Sequence, residues 1–191
     1  MKPLTRVLVF TSATLMFSAY FLPLWHILLD APQYPEGLEM KIWLNGLSGN
    51  ITQINGLNHY IGMKFIAADD FKEFGILPYI FGLLTLIGFT SAIFKSRKLL
   101  WIWFISLCLF GIAGFSDFYK WEYSYGHHLN PHAAIKVEGM NYQPPLFGYK
   151  QLLNFTAGSL PDTGGILVGL GGVLAAAAIF YKPKDSPNLS K

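Results

Sequence analysis

The stretch Ile54-Asn55-Gly56-Leu57-Asn58-His59-Tyr60-Ile61-Gly62-Met63 carries an imidazole and a thioether four residues apart in a glycine-punctuated setting. On a helical turn these two side chains share one face. Donors of the same kinds recur: His127, His128 and His132 fall within six residues, Met140 follows, and His26 and Met40 lie upstream. Imidazole and thioether without cysteine form a donor set suited to copper, because thioether is soft and favours Cu(I) while imidazole serves either oxidation state. Outside the cytoplasm thiols oxidise, so a His/Met set holds copper where cysteine would not persist. The candidate metal ligands are His59 and Met63 first, His127, His128, His132 and Met140 as partners, and His26 last. The competing reading is structural, with methionines packed and histidines satisfying turns. Zinc would leave the methionines as spectators.

Other chemistries find no footing. There is no C-x-x-C-H for covalent haem, and the single cysteine, Cys108, has no partner for an internal disulfide. There is no P-loop or dinucleotide fingerprint. A hydrolase assembled from His59, Asp117 and a serine has no supporting spacing. The chain reads as a non-enzyme with no nucleic-acid partner.

The elements that must position these residues are apolar. The chain has 191 residues, 52% hydrophobic and only 13% charged, with a mean hydropathy of +0.38. That charge content is about half the ~25% usual in soluble domains. Four runs, about 7–29, 76–94, 99–116 and 163–181, contain no Asp, Glu, Lys or Arg. At ~1.5 Å per residue each is long enough for a ~30 Å hydrocarbon core. The expected fold is therefore all-α and transmembrane: a four-helix membrane bundle in a single domain. Two long external loops, 30–75 and 117–162, would form a cap of short helices and a β-hairpin. Leu38–Leu44 and Ile51–Ile54 would be the hairpin strands, turning at Gly49-Asn50. Residues 69–74 would form a short interfacial helix, and 146–155 an amphipathic one. Pro23 would kink the first span, which exceeds a typical ~7–15-residue signal-peptide core and reads as an uncleaved anchor. Gly165 and Gly169 form a G-x-x-x-G pattern that permits close helix contact.

Charge sets the orientation. Lys2, Arg6, Lys95, Arg97, Lys98, Lys182, Lys184 and Lys191 face only Asp185 on one side, a net of +7. The other side holds six lysines against ten acids, a net of −4. By the positive-inside rule both termini are cytoplasmic and both long loops are external.

Four motifs carry a family resemblance: His26-x-x-x-Asp30-Ala31-Pro32-Gln33-Tyr34-Pro35-x-Gly37-Leu38; Leu57-Asn58-His59-Tyr60-Ile61-Gly62-Met63; Asp117-Phe118-x-x-Trp121-Glu122-Tyr123-x-Tyr125-Gly126-His127; and Tyr142-Gln143-Pro144-Pro145-x-x-Gly148-x-Lys150-Gln151-Leu152-Leu153-Asn154-Phe155. Over roughly residues 20–160 the chain resembles small four-span membrane proteins of bacterial gene clusters for nitrous oxide reductase and its copper-delivery machinery. The resemblance implies a bacterial inner-membrane accessory protein with two periplasmic loops. It would support copper-site assembly in periplasmic nitrous oxide reductase, or electron delivery to it. Its expected partners are the lipid bilayer, the reductase or another periplasmic copper protein, and copper-delivery proteins. It supplies no ligand set. Two alternatives stand beside it: a metal-free docking subunit of a membrane complex, for which the aromatic enrichment speaks, and a quinone- or haem-linked electron-transfer subunit.

Overall fold

The computed structural model describes residues 1–181. Lys182, Lys184, Asp185 and Lys191, four of the residues used above for orientation, lie outside that range. Helix α1 (Pro3–Phe17) starts at a proline, whose missing N–H costs nothing in a first turn. A 3-10 turn at Ser18–Tyr20 ends it. The chain then enters a sheet with strands β1 (Trp25–Ala31), β2 (Tyr34–Trp43) and β3 (Gly46–Gly49). Helix α2 (Ile51–Ile61) and two 3-10 turns, Ala68–Asp70 and Lys72–Gly75, lead to α3 (Leu77–Ile93) and α4 (Arg97–His127). Strands β4 (Gly148–Leu152) and β5 (Phe155–Pro161) then return to the sheet before α5 (Thr163–Phe180).

The fold is thus mixed α/β, which corrects the expected all-α four-helix membrane bundle. A five-stranded antiparallel sheet, ordered β3-β2-β1-β5-β4, stands where a cap of short helices and one β-hairpin was expected. Among the described residues two helices, α4 and α5, are long and apolar enough to cross a membrane; α1 has 15 residues and α3 has 17.

The expected first span fails for a local reason. Pro23 cannot donate in a helix, so the apolar run splits there. Its second half, Trp25–Ala31, becomes the central strand, paired with β2 on one side and β5 on the other. A short apolar run cannot be assigned to helix or strand by hydrophobicity alone. The β2–β3 hairpin turns at Leu44-Asn45, earlier than Gly49-Asn50. Residues from Ile51 become α2 instead of a strand. Asn50 closes the ladder: its N–H donates to the Glu39 carbonyl at 2.7 Å, and its Oδ1 accepts from the Glu39 N–H at 3.0 Å. The expected amphipathic helix at 146–155 is instead the β4–β5 hairpin, and the expected helix at 69–74 is a pair of 3-10 turns.

Two hydrophobic cores result. One is helical and includes Val9, Ala13, Phe81, Leu100, Trp103 and Ala175. The other lies under the sheet and includes Ile27, Leu38, Met40, Ile54, Ile66 and Tyr125. Helix α4 runs through both. At 1.5 Å per residue its 31 residues reach roughly 46 Å, longer than a ~30 Å hydrocarbon layer. Its first part holds Leu100 and Trp103 in the helical core; its last turns bring Phe118, Trp121 and Tyr125 to the sheet core. Helix α5 ties the layers at a second point. The Gly164 N–H donates to the Pro23 carbonyl, and a Cβ at Gly165 would lie 2.0 Å from the Leu24 carbonyl oxygen. The expected G-x-x-x-G face is only half used, because Gly169 meets open space, while Gly171 lies against Ser12 of α1.

Candidate functional site

A β-strand directs alternate side chains to opposite faces, and here the two faces differ in chemistry. The inner face (Ile27, Leu29, Met40 and Ala157) borders an apolar cavity of about 660 Å³. The opposite wall is the His59–Met63 stretch and the helix before it: Ile54, Leu57, Asn58, Tyr60, Ile61 and Met63 all line the cavity. Asn55 holds that wall in place, donating to the Ile66 carbonyl at 2.9 Å and accepting from the Ile66 N–H at 2.7 Å. Gly62 ends α2 in the left-handed region, at φ +81°. A Cβ there would lie 2.8 Å from the Ala133 Cβ and 2.9 Å from the Asn130 carbonyl, so glycine is required. Through this corner the 128–137 segment docks on α2, with Asn130 N–H donating to the Gly62 carbonyl and Ile135 N–H to the Tyr60 carbonyl.

The last turns of α4 close the cavity with Trp121, Glu122 and Tyr125, and Tyr142 adds a wall. Glu122 is fully buried, and neither carboxyl oxygen has a hydrogen-bond partner. Burial pushes its carboxyl up to about 8, so it is neutral at pH 7. The Tyr142 hydroxyl and the Trp121 indole N–H are also buried without partners. The Trp121 N–H lies close enough to favour ionisation of the Tyr125 hydroxyl, but it is not aligned for a hydrogen bond. Burial is the largest influence on that hydroxyl and raises it; Tyr125 donates to the Phe65 carbonyl at 3.1 Å. Each buried polar group without a partner costs about 1–3 kcal/mol, so four such atoms around one cavity are unusual.

The outer face of the sheet carries a polar cluster. His26 Nδ1 lies 3.3 Å from Asp162 Oδ2 and 3.9 Å from Glu39 Oε1. The register pairs His26 with Lys41, and Glu39 lies two residues along the same face. Asp162 is also the N-cap of α5, accepting from the Thr163 N–H. Burial alone would raise its carboxyl. The hydrogen bonds from Thr163 and His26, with the Lys41 charge, outweigh burial and hold it below the usual value. Among the described residues this is the one group of three or more His, Cys, Asp or Glu with the geometry to hold a metal ion. A cation is already present: the Lys41 ammonium lies 3.5 Å from Glu39 and 3.8 Å from Asp162. The cluster works as a charge network that pins α5 to the sheet.

The candidate ligands are dispersed across these features. His59 is exposed on α2 and stacks on Phe65 at 6.0 Å. Met63 lies beyond the left-handed Gly62, so the two do not share a continuous helical face; Met63 borders the cavity. His127 stacks on Tyr123 at 4.0 Å, with its Nδ1 3.1 Å from the Tyr123 carbonyl. His128 meets Ser124 at 3.2 Å. His132 is exposed on the following loop, and Met140 is half-buried. His26 belongs to the outer-face cluster, on the far side of the sheet from the cavity.

Glu122 is hidden in the sequence because Asp117, Lys120 and Glu122 put three charges within six residues, a pattern common on solvated segments. The available signal was its company at helical spacing. Phe118 stands four residues before it, Tyr125 and Gly126 three and four after, so its stripe is apolar. Comparison of the chain with protein-family models, with curated proteins and with solved structures gives no match.

Proposed function

We propose that the chain is a non-enzymatic, membrane-anchored accessory protein. Its sheet module would stand on the periplasmic side of a bacterial inner membrane and dock a partner there. The observation that carries this reading is α4. Its apolar stretch is largely uncovered, with 11% of the residues buried, whereas a core helix of a soluble protein would be enclosed. The helix begins among Lys95, Arg97 and Lys98 and ends inside the sheet module. The N-terminal ammonium donates to the Lys95 carbonyl, so the chain's start lies at the same basic end. That end is cytoplasmic in this reading.

The family resemblance supplies the partner, a periplasmic nitrous oxide reductase or one of its copper-delivery proteins. Copper is the partner's cargo in this account, because His59, Met63, His127, His128, His132 and Met140 are spread over α2, the end of α4 and the following loop. Tagged full-length protein, co-expressed with the reductase and its delivery proteins and extracted in mild detergent, is expected to retain one of them through size exclusion. Recovery of the chain alone would remove the docking role. High-affinity stoichiometric Cu(I) binding that is lost in His59→Ala/Met63→Ala would return the metal to this chain.

A further inference from the structure

The cavity beneath the sheet has the marks of a built ligand site. Its volume, about 660 Å³, falls in the range of small-molecule pockets. Glu122, fully buried and unpartnered, lines it, and the Tyr142 hydroxyl and Trp121 N–H supply further unsatisfied polar atoms. Among the described residues no lysine, arginine or histidine lines the cavity. An anionic headgroup, whether carboxylate or phosphate, would find no counter-charge there and would face a carboxyl group. A neutral oxygen would find a partner: an unionised carboxyl both donates and accepts, as does a tyrosine hydroxyl, and an indole donates. Trp121, Tyr125, Tyr142, Tyr34 and Phe155 give the walls flat faces suited to a ring. Glu122 lies six residues beyond the apolar stretch of α4, roughly 9 Å along the axis, which corresponds to the outer edge of a headgroup layer. Exposed Tyr60, Ile135 and Leu153 form an apolar rim.

We propose that this cavity binds a membrane-soluble ring compound with neutral oxygen substituents, the chemical class of quinones and quinols, with the ring between the aromatic walls and an oxygen on Glu122. This rests on the membrane-anchored reading but not on the identity of any docking partner.

Decylubiquinone titrated into the purified full-length protein in detergent tests it, followed by quenching of tryptophan fluorescence and by calorimetry. Saturable binding at one site per chain is expected. Glu122→Gln, which keeps the shape and the hydrogen-bonding capacity, is expected to hold affinity within about threefold, while Glu122→Leu loses tenfold or more. Leu57→Trp, which fills the cavity from α2, is expected to lose it as well, so the test survives if Glu122→Leu fails to fold. Lauric acid, the anionic control, is expected not to displace the quinone. Uptake that only follows detergent partition overturns the proposal, as do equal binding by wild type and folded Glu122→Leu or Leu57→Trp, or equal displacement by lauric acid. Failure here with a partner still captured leaves docking intact; binding here without partner capture removes docking alone.

Discussion

Glu122 holds its proton more tightly in the folded chain, at about 8, than at its ordinary value of 4.5, because burial disfavours the charged form. The sign of the linkage follows. Its contribution to stability is complete below pH 4.5, where both states are protonated, and is lost as pH rises through about 8. Across that window the loss is about 1.4 kcal/mol per pH unit. None of the residues that line the cavity with it is a cation, and burial is the cause of the shift. Thermal unfolding in detergent is therefore expected at lower temperature at pH 8 than at pH 5.5. Glu122→Gln, never ionised, is expected to flatten this dependence and to exceed wild type at pH 8. A wild-type melting temperature that rises over the same interval would contradict the buried neutral acid. At this scale the sequence showed the histidines and methionines by type, but not that the fold disperses the candidate ligands over α2, the end of α4 and the loop after it. It was illegible for Glu122, whose chemistry comes from its surroundings.

The junctions between elements decide whether the module stays on its helices. The Tyr142 N–H donates to the Gly126 carbonyl at 3.0 Å, and a Cβ on Gly126 would lie 2.3 Å from backbone atoms of Gln143. Backbone cannot yield as a flexible side chain can, so Gly126→Ala is expected to detach the 128–147 segment. Faster limited proteolysis within it, with helix content preserved by circular dichroism, would record this. At the other junction, Asp162→Ala removes an N-cap worth about 1 kcal/mol. It also removes the partner of His26 and Lys41, whereas Asp162→Asn keeps the cap. Chemical denaturation is expected to rank wild type, Asp162→Asn and Asp162→Ala in that order of stability, and equal stability of all three would contradict the network. Strands were the elements least visible in the sequence. Trp25–Ala31 gives no clean alternation, because Leu28 stands between His26 and Asp30 on the outer face, so its first residues read as the end of the apolar run before them. Leu153 turns the β4–β5 hairpin at φ +55° without a glycine to announce it. Helix α4 runs on past the apolar run that ends at 116 into what was expected as an external loop, because Phe118, Trp121 and Tyr125 repeat at helical spacing and pack in the sheet core.

Across the whole molecule the uncovered apolar surface and the cationic end are segregated. Val7, Phe10, Leu83, Leu86, Ile105, Leu109, Leu170 and Val173 are exposed on α1, α3, α4 and α5. Arg6 and Arg97 hold the opposite end from the sheet, donating to the Ala92 and Ile179 carbonyls. The apolar runs and the basic loop were readable from composition; the division of the first run into helix and strand was not, because it depends on Pro23 and on partners 130 residues away. Cysteine accessibility distinguishes a sheet module held outside the membrane, on helices whose basic end lies inside, from the reverse orientation. With Cys108 replaced by alanine, single cysteines at His132, Asn154 and Ser96 are exposed in intact spheroplasts to a membrane-impermeant maleimide. Labelling at 132 and 154, with 96 modified only after lysis, is the predicted result; labelling at 96 with 132 and 154 protected would contradict it.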